Sequence, residues 1–258
     1  MTLIDTHTHL YLEDYQDDRD AVIRNALEAQ VKGMLLPAID SQSFDSLKQL
    51  ANQYPANCFP MAGLHPTSVK EDYEEELKLM EKALISGTYY GIGEIGIDLY
   101  WDQTFQEQQL DAFRKQLRWA KKYKLAVSIH TRNSFEEAYR IVKEELTDDL
   151  TGVFHCFTGT FQEASMIMDL GFYMGIGGIL TFKNSTLGEV VKKIPMHHLV
   201  LETDSPFLTP APYRGKRNQS AYLIYVAEKM AEIKNLPLEE VAEQTTLNAK
   251  KLFKLQNF

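Results

Sequence analysis

Eight short runs rich in apolar and β-branched residues punctuate this chain, and the segments between them carry helical periodicity. The runs are LIDTHTHL (3 to 10), KGMLLPAI (32 to 39), CFPMAGLH (58 to 65), YYGIGEIGI (89 to 97), LAVSIH (125 to 130), TGVFHCF (151 to 157), GFYMGIGG (171 to 178) and HLVLETD (198 to 204). Strands alternating with helices form parallel βαβ units, and eight such units close into a barrel more naturally than they extend an open sheet. An open doubly wound sheet would more often carry a glycine-rich phosphate loop after its first strand, whereas this strand runs into His9-Leu10-Tyr11. A TIM barrel takes about 250 residues. The expectation is therefore an α/β fold, a TIM (β/α)8 barrel over 1–258 as a single domain, with an additional C-terminal helix after Leu236-Pro237.

The helical segments have their own signals. FQEQQLDAFRKQLRWAKKYK (105 to 124) puts Leu110, Phe113, Leu117 and Ala120 on one stripe and charges opposite, as a barrel-covering helix requires. Ser68 with Glu71, Thr104 with Glu107, Ser134 with Glu137 and Thr160 with Glu163 fit the capping box that satisfies the first free amides. A further helix is expected over roughly 219 to 234.

Composition removes several function classes. A net charge of −9 argues against a general nucleic-acid coat while leaving room for a local basic groove. The two cysteines, Cys58 and Cys156, suit a reducing compartment better than a disulfide framework. No apolar run approaches the ~20 residues of a membrane span, and MTLIDTHTHL has no signal-peptide pattern, so a cytoplasmic protein without membrane association is expected. No obligate protein partner is evident.

Barrel enzymes gather their catalytic groups at the carboxyl ends of the strands. His7 and His9 end the first run, His65 the third, Glu94 lies late in the fourth, His130 ends the fifth, His155 is near the end of the sixth, and Glu202 and Asp204 end the eighth. By strand alternation Asp5, His7 and His9 are expected to share one polar face. Any one of these histidines is explained by ordinary hydrogen bonds. Five on one rim with three carboxylates call for compensating cations, and two divalent ions would supply them. His197 and His198 stand where the eighth run begins, at the other end, and read as surface or structural residues.

IDTHTHL, GLHP (63 to 66), GEIGIDLYW (93 to 101), IHTR (129 to 132), HCFTGT (155 to 160), GIGGILTFKN (175 to 184) and LETDSPFLTPAPYRGKRN (201 to 218) follow one another in an order that resembles the TatD-related deoxyribonucleases, metal-dependent hydrolases of the amidohydrolase-like barrel group. The resemblance runs nearly the whole length. It implies that His7 and His9 hold a first metal, that Glu94 bridges two metals, that His130 and His155 hold the second, and that Asp204 binds at the first. Glu94 stands where many related barrels use a carboxylated lysine. Ala126 and Ser220 occupy positions where the family commonly has proline, and neither is a proposed ligand.

With that ligand set, two metals ~4 Å apart can activate a water for an in-line displacement at a phosphodiester. Asp204 and Glu94 are the expected catalytic residues, Asp204 also taking the proton of the attacking water. Glu202 is expected to orient a neighbour. Mixed imidazole and carboxylate ligands suit Zn²⁺, Mn²⁺, Co²⁺ or Ni²⁺, whereas the resemblance implies nuclease activity with Mg²⁺. Arg132 either clamps a phosphate or pairs with an acid; His65 either contacts substrate or hydrogen-bonds in the core. Arg214, Lys216 and Arg217 form the densest basic cluster, a candidate phosphate contact or a solvated face. Phe157 or Phe161 either packs in the core or stacks a base. The leading expectation is a two-metal deoxyribonuclease acting as an exonuclease on DNA, with RNA or tRNA as further substrates. An ester or amide hydrolase on the same site, such as a D-aminoacyl-tRNA deacylase or a small-molecule amidohydrolase, is the alternative. A non-catalytic barrel that binds nucleic acid or metal stands third.

Overall fold

A computed structural model of the chain describes residues 1–255, so the last three positions of the domain expected over 1–258 lie outside the described residues. Eight parallel strands follow one another around a single sheet: β1 (Leu3–Asp5), β2 (Val31–Pro37), β3 (Cys58–Ala62), β4 (Gly91–Asp98), β5 (Ala126–Arg132), β6 (Gly152–Phe154), β7 (Tyr173–Ile176) and β8 (Leu199–Leu201). The sheet closes where Thr6 donates its amide to the Leu201 carbonyl at 3.0 Å and Thr8 bridges Ser205 in parallel. Each observed strand overlaps its expected run and most are shorter, because the chain turns out of the ladder just where the polar residues begin.

A helix follows each strand: α1 (Arg19–Glu28), α2 (Phe44–Gln53), α3 (Tyr73–Ser86), α4 (Gln106–Tyr123), α5 (Phe135–Glu145), α6 (Phe161–Asp169), α7 (Leu187–Val191) and α8 (Leu223–Lys234), with the additional α9 (Leu238–Phe253) at the end. In α4 the stripe of Leu110, Phe113, Leu117 and Ala120 is buried as its spacing requires. Of the four expected capping boxes, Thr160 with Glu163 forms. Ser134 instead donates its hydroxyl to the Ile97 carbonyl, and α3 and α4 begin beyond Glu71 and Thr104.

Two apolar layers result from strand alternation. Outward-facing residues such as Leu3, Leu36, Ile95, Val127 and Leu201 pack under the helices. Inward-facing Ile4, Leu35, Phe59, Met61, Ala126, Val153, Tyr173 and Val200 form a second cluster with Ala249, Leu252 and Phe253 of α9. The extra helix thus plugs the amino end of the barrel, and the interior above this apolar floor is left to polar side chains. Two residues further along the same inward rows come Ser128 over Ala126, His155 over Val153 and Glu202 over Val200.

The first strand departs from expectation. Ile4 and His7 are three residues apart, so both can face inward only if alternation is broken between them, and β1 ends at Asp5. Asp5 therefore does not share a face with His7 and His9. Its carboxylate accepts from the Thr203 amide at 2.9 Å and the Thr203 hydroxyl at 2.6 Å, tying the first strand end to the eighth.

Candidate metal centre

Glu94, buried on β4, is the hub of the barrel mouth. Its Oε2 lies 3.0 Å from His7 Nε2 and 3.5 Å from His9 Nε2. Its Oε1 lies 2.6 Å from His130 Nδ1, 2.7 Å from His155 Nε2 and 3.2 Å from His65 Nε2. The two oxygens of one carboxylate thus divide the histidines into two groups. Asp204 Oδ1 joins the first group, 3.6 Å from His9 Nε2 and 3.9 Å from His7 Nε2. The rings of His7 and His155 stack with centroids 3.9 Å apart, so residues from β1 and β6 meet at one point. Three groups of side chains are able to hold a cation: His7, His9 and Glu94; His7, His155 and Asp204; and His65, Glu94 and His130.

The outer ring nitrogens decide which way the protons point. Tyr11 donates its one hydroxyl proton to the Pro37 carbonyl at 2.7 Å, so at 3.1 Å it must accept from His9 Nδ1, which leaves Nε2 facing inward with a lone pair. His130 Nε2 meets the Asp98 carboxylate at 2.9 Å and must donate to it, so its inward Nδ1 is also a lone pair in the neutral ring. A lone pair 2.6 Å from a carboxylate oxygen requires a positive charge between them or a proton on the ring. His7 Nδ1 is held by the Ser128 hydroxyl at 3.0 Å. His155 Nδ1 lies 3.5 Å from Glu202 Oε1, too far for a hydrogen bond. His65 differs. Its Nδ1 accepts from the Thr67 amide at 3.1 Å, so its Nε2 carries the proton and points a donor into the site.

Charge follows the same geometry. Burial alone would protonate Glu94, but the imidazoles of His155, His65 and His7 hold it well below the usual carboxylate range. Burial likewise presses His9 toward neutrality, and Asp204 and Glu94 overcome it, raising that ring to about 9. His155 is raised well above its ordinary value by Glu94 and Glu202 against its own burial. The His65 ring is lowered by its burial, against the pull of Glu94. Without a cation the carboxylates draw protons onto the inward nitrogens. A divalent ion would supply that charge directly, and the donor set of imidazole nitrogens and carboxylate oxygens fits one.

Backbone strain collects here too. Asp204, Cys156 and Asn133, at the ends of β8, β6 and β5, all have left-handed φ, near 55°, 48° and 54°. Gly96 on β4 has φ of +142°, and a Cβ there would lie 2.1 Å from the His130 carbonyl oxygen, so the close approach of β4 to β5 at this level needs glycine.

The other residues singled out in the sequence are spread around this centre. Glu202 is buried beneath it and accepts the Cys156 amide at 2.5 Å, while its Oε2 has no hydrogen-bond partner. Arg132 is exposed at the rim, its guanidinium 3.8 Å from the Tyr100 ring centroid and 5.0 Å from that of Trp101. Among the described residues no carboxylate pairs with it. The basic cluster is less free than its density suggested: Arg217 pairs with Asp18 at 2.6 Å, and Arg214 donates to the Thr209 carbonyl and stacks on Phe182. Lys216 lies over Tyr213. Phe157 is buried, and Phe161 is partly exposed under Lys193. His198 bonds the Phe172 carbonyl at the far end of the barrel.

Asp98, Ser128, Tyr11 and Thr67 were not anticipated, although period two could have found most of them. Asp98 is four residues from Glu94 on β4, Ser128 two from His130 on β5, and Tyr11 and Thr67 each two beyond a histidine. Arg19 was also missed. Its guanidinium donates to the carbonyls of Leu10, Tyr11 and Leu12 at 2.8 to 2.9 Å and fixes the loop that follows His9.

Comparison with known proteins identifies the family. The profile of a family described as TatD related DNase matches residues 4–254. An uncharacterized metal-dependent hydrolase of Bacillus subtilis, YabD, is 39% identical over 98% of this chain and 99% of its own length. A protein of Erwinia tasmaniensis named as the 3'-5' ssDNA/RNA exonuclease TatD is 33% identical over 98% of this chain and 100% of its own. The crystal structure of YjjV, a TatD homolog from Escherichia coli K12, superposes with a TM-score of 0.93 at 29% identity, covering 98% of both chains.

Proposed function

Because this chain belongs to the TatD-related DNase family and is a metal-dependent hydrolase, we propose that it cleaves phosphodiester bonds of single-stranded nucleic acid, DNA foremost, at the centre built around Glu94. The observation that carries this is the division of the Glu94 carboxylate, one oxygen toward His7 and His9 and the other toward His130 and His155. His7, His9 and Asp204 would hold one divalent ion, His130 and His155 a second, and Glu94 both. When bound, such ions lower the pKa of water and neutralise charge on phosphoryl oxygens.

The chain's own groups complete the reaction. Asp204, kept ionised against its burial by His9, is the acceptor for the proton of the attacking water. His65 is not a ligand in this reading, because the proton on its Nε2 makes that atom a donor to a phosphoryl or leaving-group oxygen. Arg132 offers the guanidinium edge to a neighbouring phosphate, since no carboxylate competes for it among the described residues. Among those residues no helix is long and apolar enough to cross a membrane.

A direct test uses chelator-stripped protein with end-labelled single- and double-stranded DNA, RNA and D-aminoacyl-tRNA, restoring Mg²⁺, Mn²⁺ or Zn²⁺ in turn. Shortening of single strands with at least one ion, and far slower attack on duplex, is the expected result. Deacylation of the tRNA with no loss of nucleotides would transfer the same centre to ester hydrolysis.

A further inference from the structure

Among the described residues the most exposed aromatic side chains follow strands at this same mouth. Trp101 is 68% exposed, Tyr100 51% and Phe207 54%. Tyr100 and Trp101 follow the end of β4. Phe207 follows Asp204 after β8, with its ring 6.4 Å from that of His9. In an eight-stranded barrel β4 and β8 are four strands apart in either direction, so these aromatics follow strands on opposite sides of the opening.

Both are held in place despite their exposure. Asp98 Oδ1 accepts the amides of Tyr100 and Trp101 at 3.0 and 3.2 Å, while its other oxygen takes His130 Nε2. One carboxylate therefore fixes the aromatic pair and a histidine of the metal centre together. Phe207 donates its amide to the Asp204 carbonyl at 2.9 Å and accepts Asn218 Nδ2 at 2.6 Å. Arg132 lies over Tyr100 and Trp101, adding an unpaired positive charge beside the rings in a chain whose net charge is −9. Trp101 also edges a cleft of about 200 Å³ that runs past Lys70 and Phe105.

We propose that Trp101 and Phe207 form a two-sided stacking seat for unpaired nucleobases, gripping a single strand on either side of the phosphodiester presented to Glu94 and Asp204. The inference rests on the nuclease reading and adds to it which residues select strand type. Rings on opposite walls can both be stacked only by bases that have left a duplex, whereas Arg132 lies beside the strand's phosphates. Every base has a π face, so such a seat is tolerant of sequence and intolerant of pairing.

The protein has two tryptophans, and Trp119 lies half-buried on α4, so Trp119→Phe leaves Trp101 as the sole tryptophan reporter. Titrating this protein, loaded with Mg²⁺, with an oligothymidine carrying phosphorothioate linkages that resist cleavage with this hard ion should quench its fluorescence, and an abasic strand of equal length should not. Trp101→Ala and Phe207→Ala should each lower kcat/KM on oligothymidine by about tenfold or more, chiefly through KM. Both should cleave the abasic strand within twofold of the parent, and Trp101→Phe should restore most of the loss. Equal losses on both strands, or loss in only one of the two alanine variants, would overturn the seat. Cleavage without quenching would remove the seat and keep the nuclease reading. Quenching in a protein that cleaves no phosphodiester would keep the seat and remove the nuclease reading.

Discussion

Replacing Glu94 with glutamine should reduce hydrolysis by at least about 100-fold while leaving the melting temperature of the metal-free protein close to that of the parent. The substitution keeps the size of the side chain and removes the charge that both groups of histidines face. One carboxylate oxygen is replaced by an NH₂ donor, so the remaining oxygen can serve His7 and His9 or His130 and His155, but not both pairs as an acceptor. Metal titrations of the variant should show the second equivalent lost or much weakened, and unchanged turnover would take Glu94 out of the mechanism. Stability is expected to persist because the apolar floor of the barrel, sealed by Leu252 and Phe253 of α9, lies away from Glu94 in a separate cluster.

Asp98→Asn separates orientation from charge. Asparagine can still accept the amides of Tyr100 and Trp101, but the NH₂ group now opposes His130 Nε2. To avoid a donor facing a donor, the ring must carry its proton on Nδ1, the atom that points at Glu94. Such a swap of tautomer should weaken metal affinity by about 10- to 100-fold, the usual cost of losing a carboxylate behind a ligating histidine. Isothermal titration of chelator-stripped protein measures this, and an imidazole NMR spectrum reports the tautomer. Wild-type affinity with the tautomer switched would show that His130 is not a ligand.

Much of this architecture is legible in the residues because the fold repeats one simple unit. Each of the eight apolar runs contains or overlaps a strand, and α4 buries the stripe its spacing requires. The mouth was legible for the same reason: strand ends gather there, so the sequence alone places His7, His9, His65, His130, His155, Glu94 and Asp204 together. What the chain did not reveal depends on breaks in regularity. Asp5 fell away from His7 because β1 stops after three residues and its carboxylate turns to Thr203. Ser134 left its expected cap for the Ile97 carbonyl, which only the tertiary structure brings near. The basic run at Arg214 to Arg217 read as free charge because Asp18 and Phe182, which engage it, are remote in sequence. Asp98 was overlooked although it shares the inward row of Glu94, and it links the metal centre to the exposed aromatics.

The most direct measurement is a metal titration of chelator-stripped protein, following hydrolysis of a labelled single-stranded oligonucleotide as Mn²⁺ is added. The account predicts no turnover in the stripped protein and a rise that breaks at about two equivalents per chain, as a pair of ions sharing Glu94 requires. Full turnover with less than a tenth of an equivalent of metal present would contradict it.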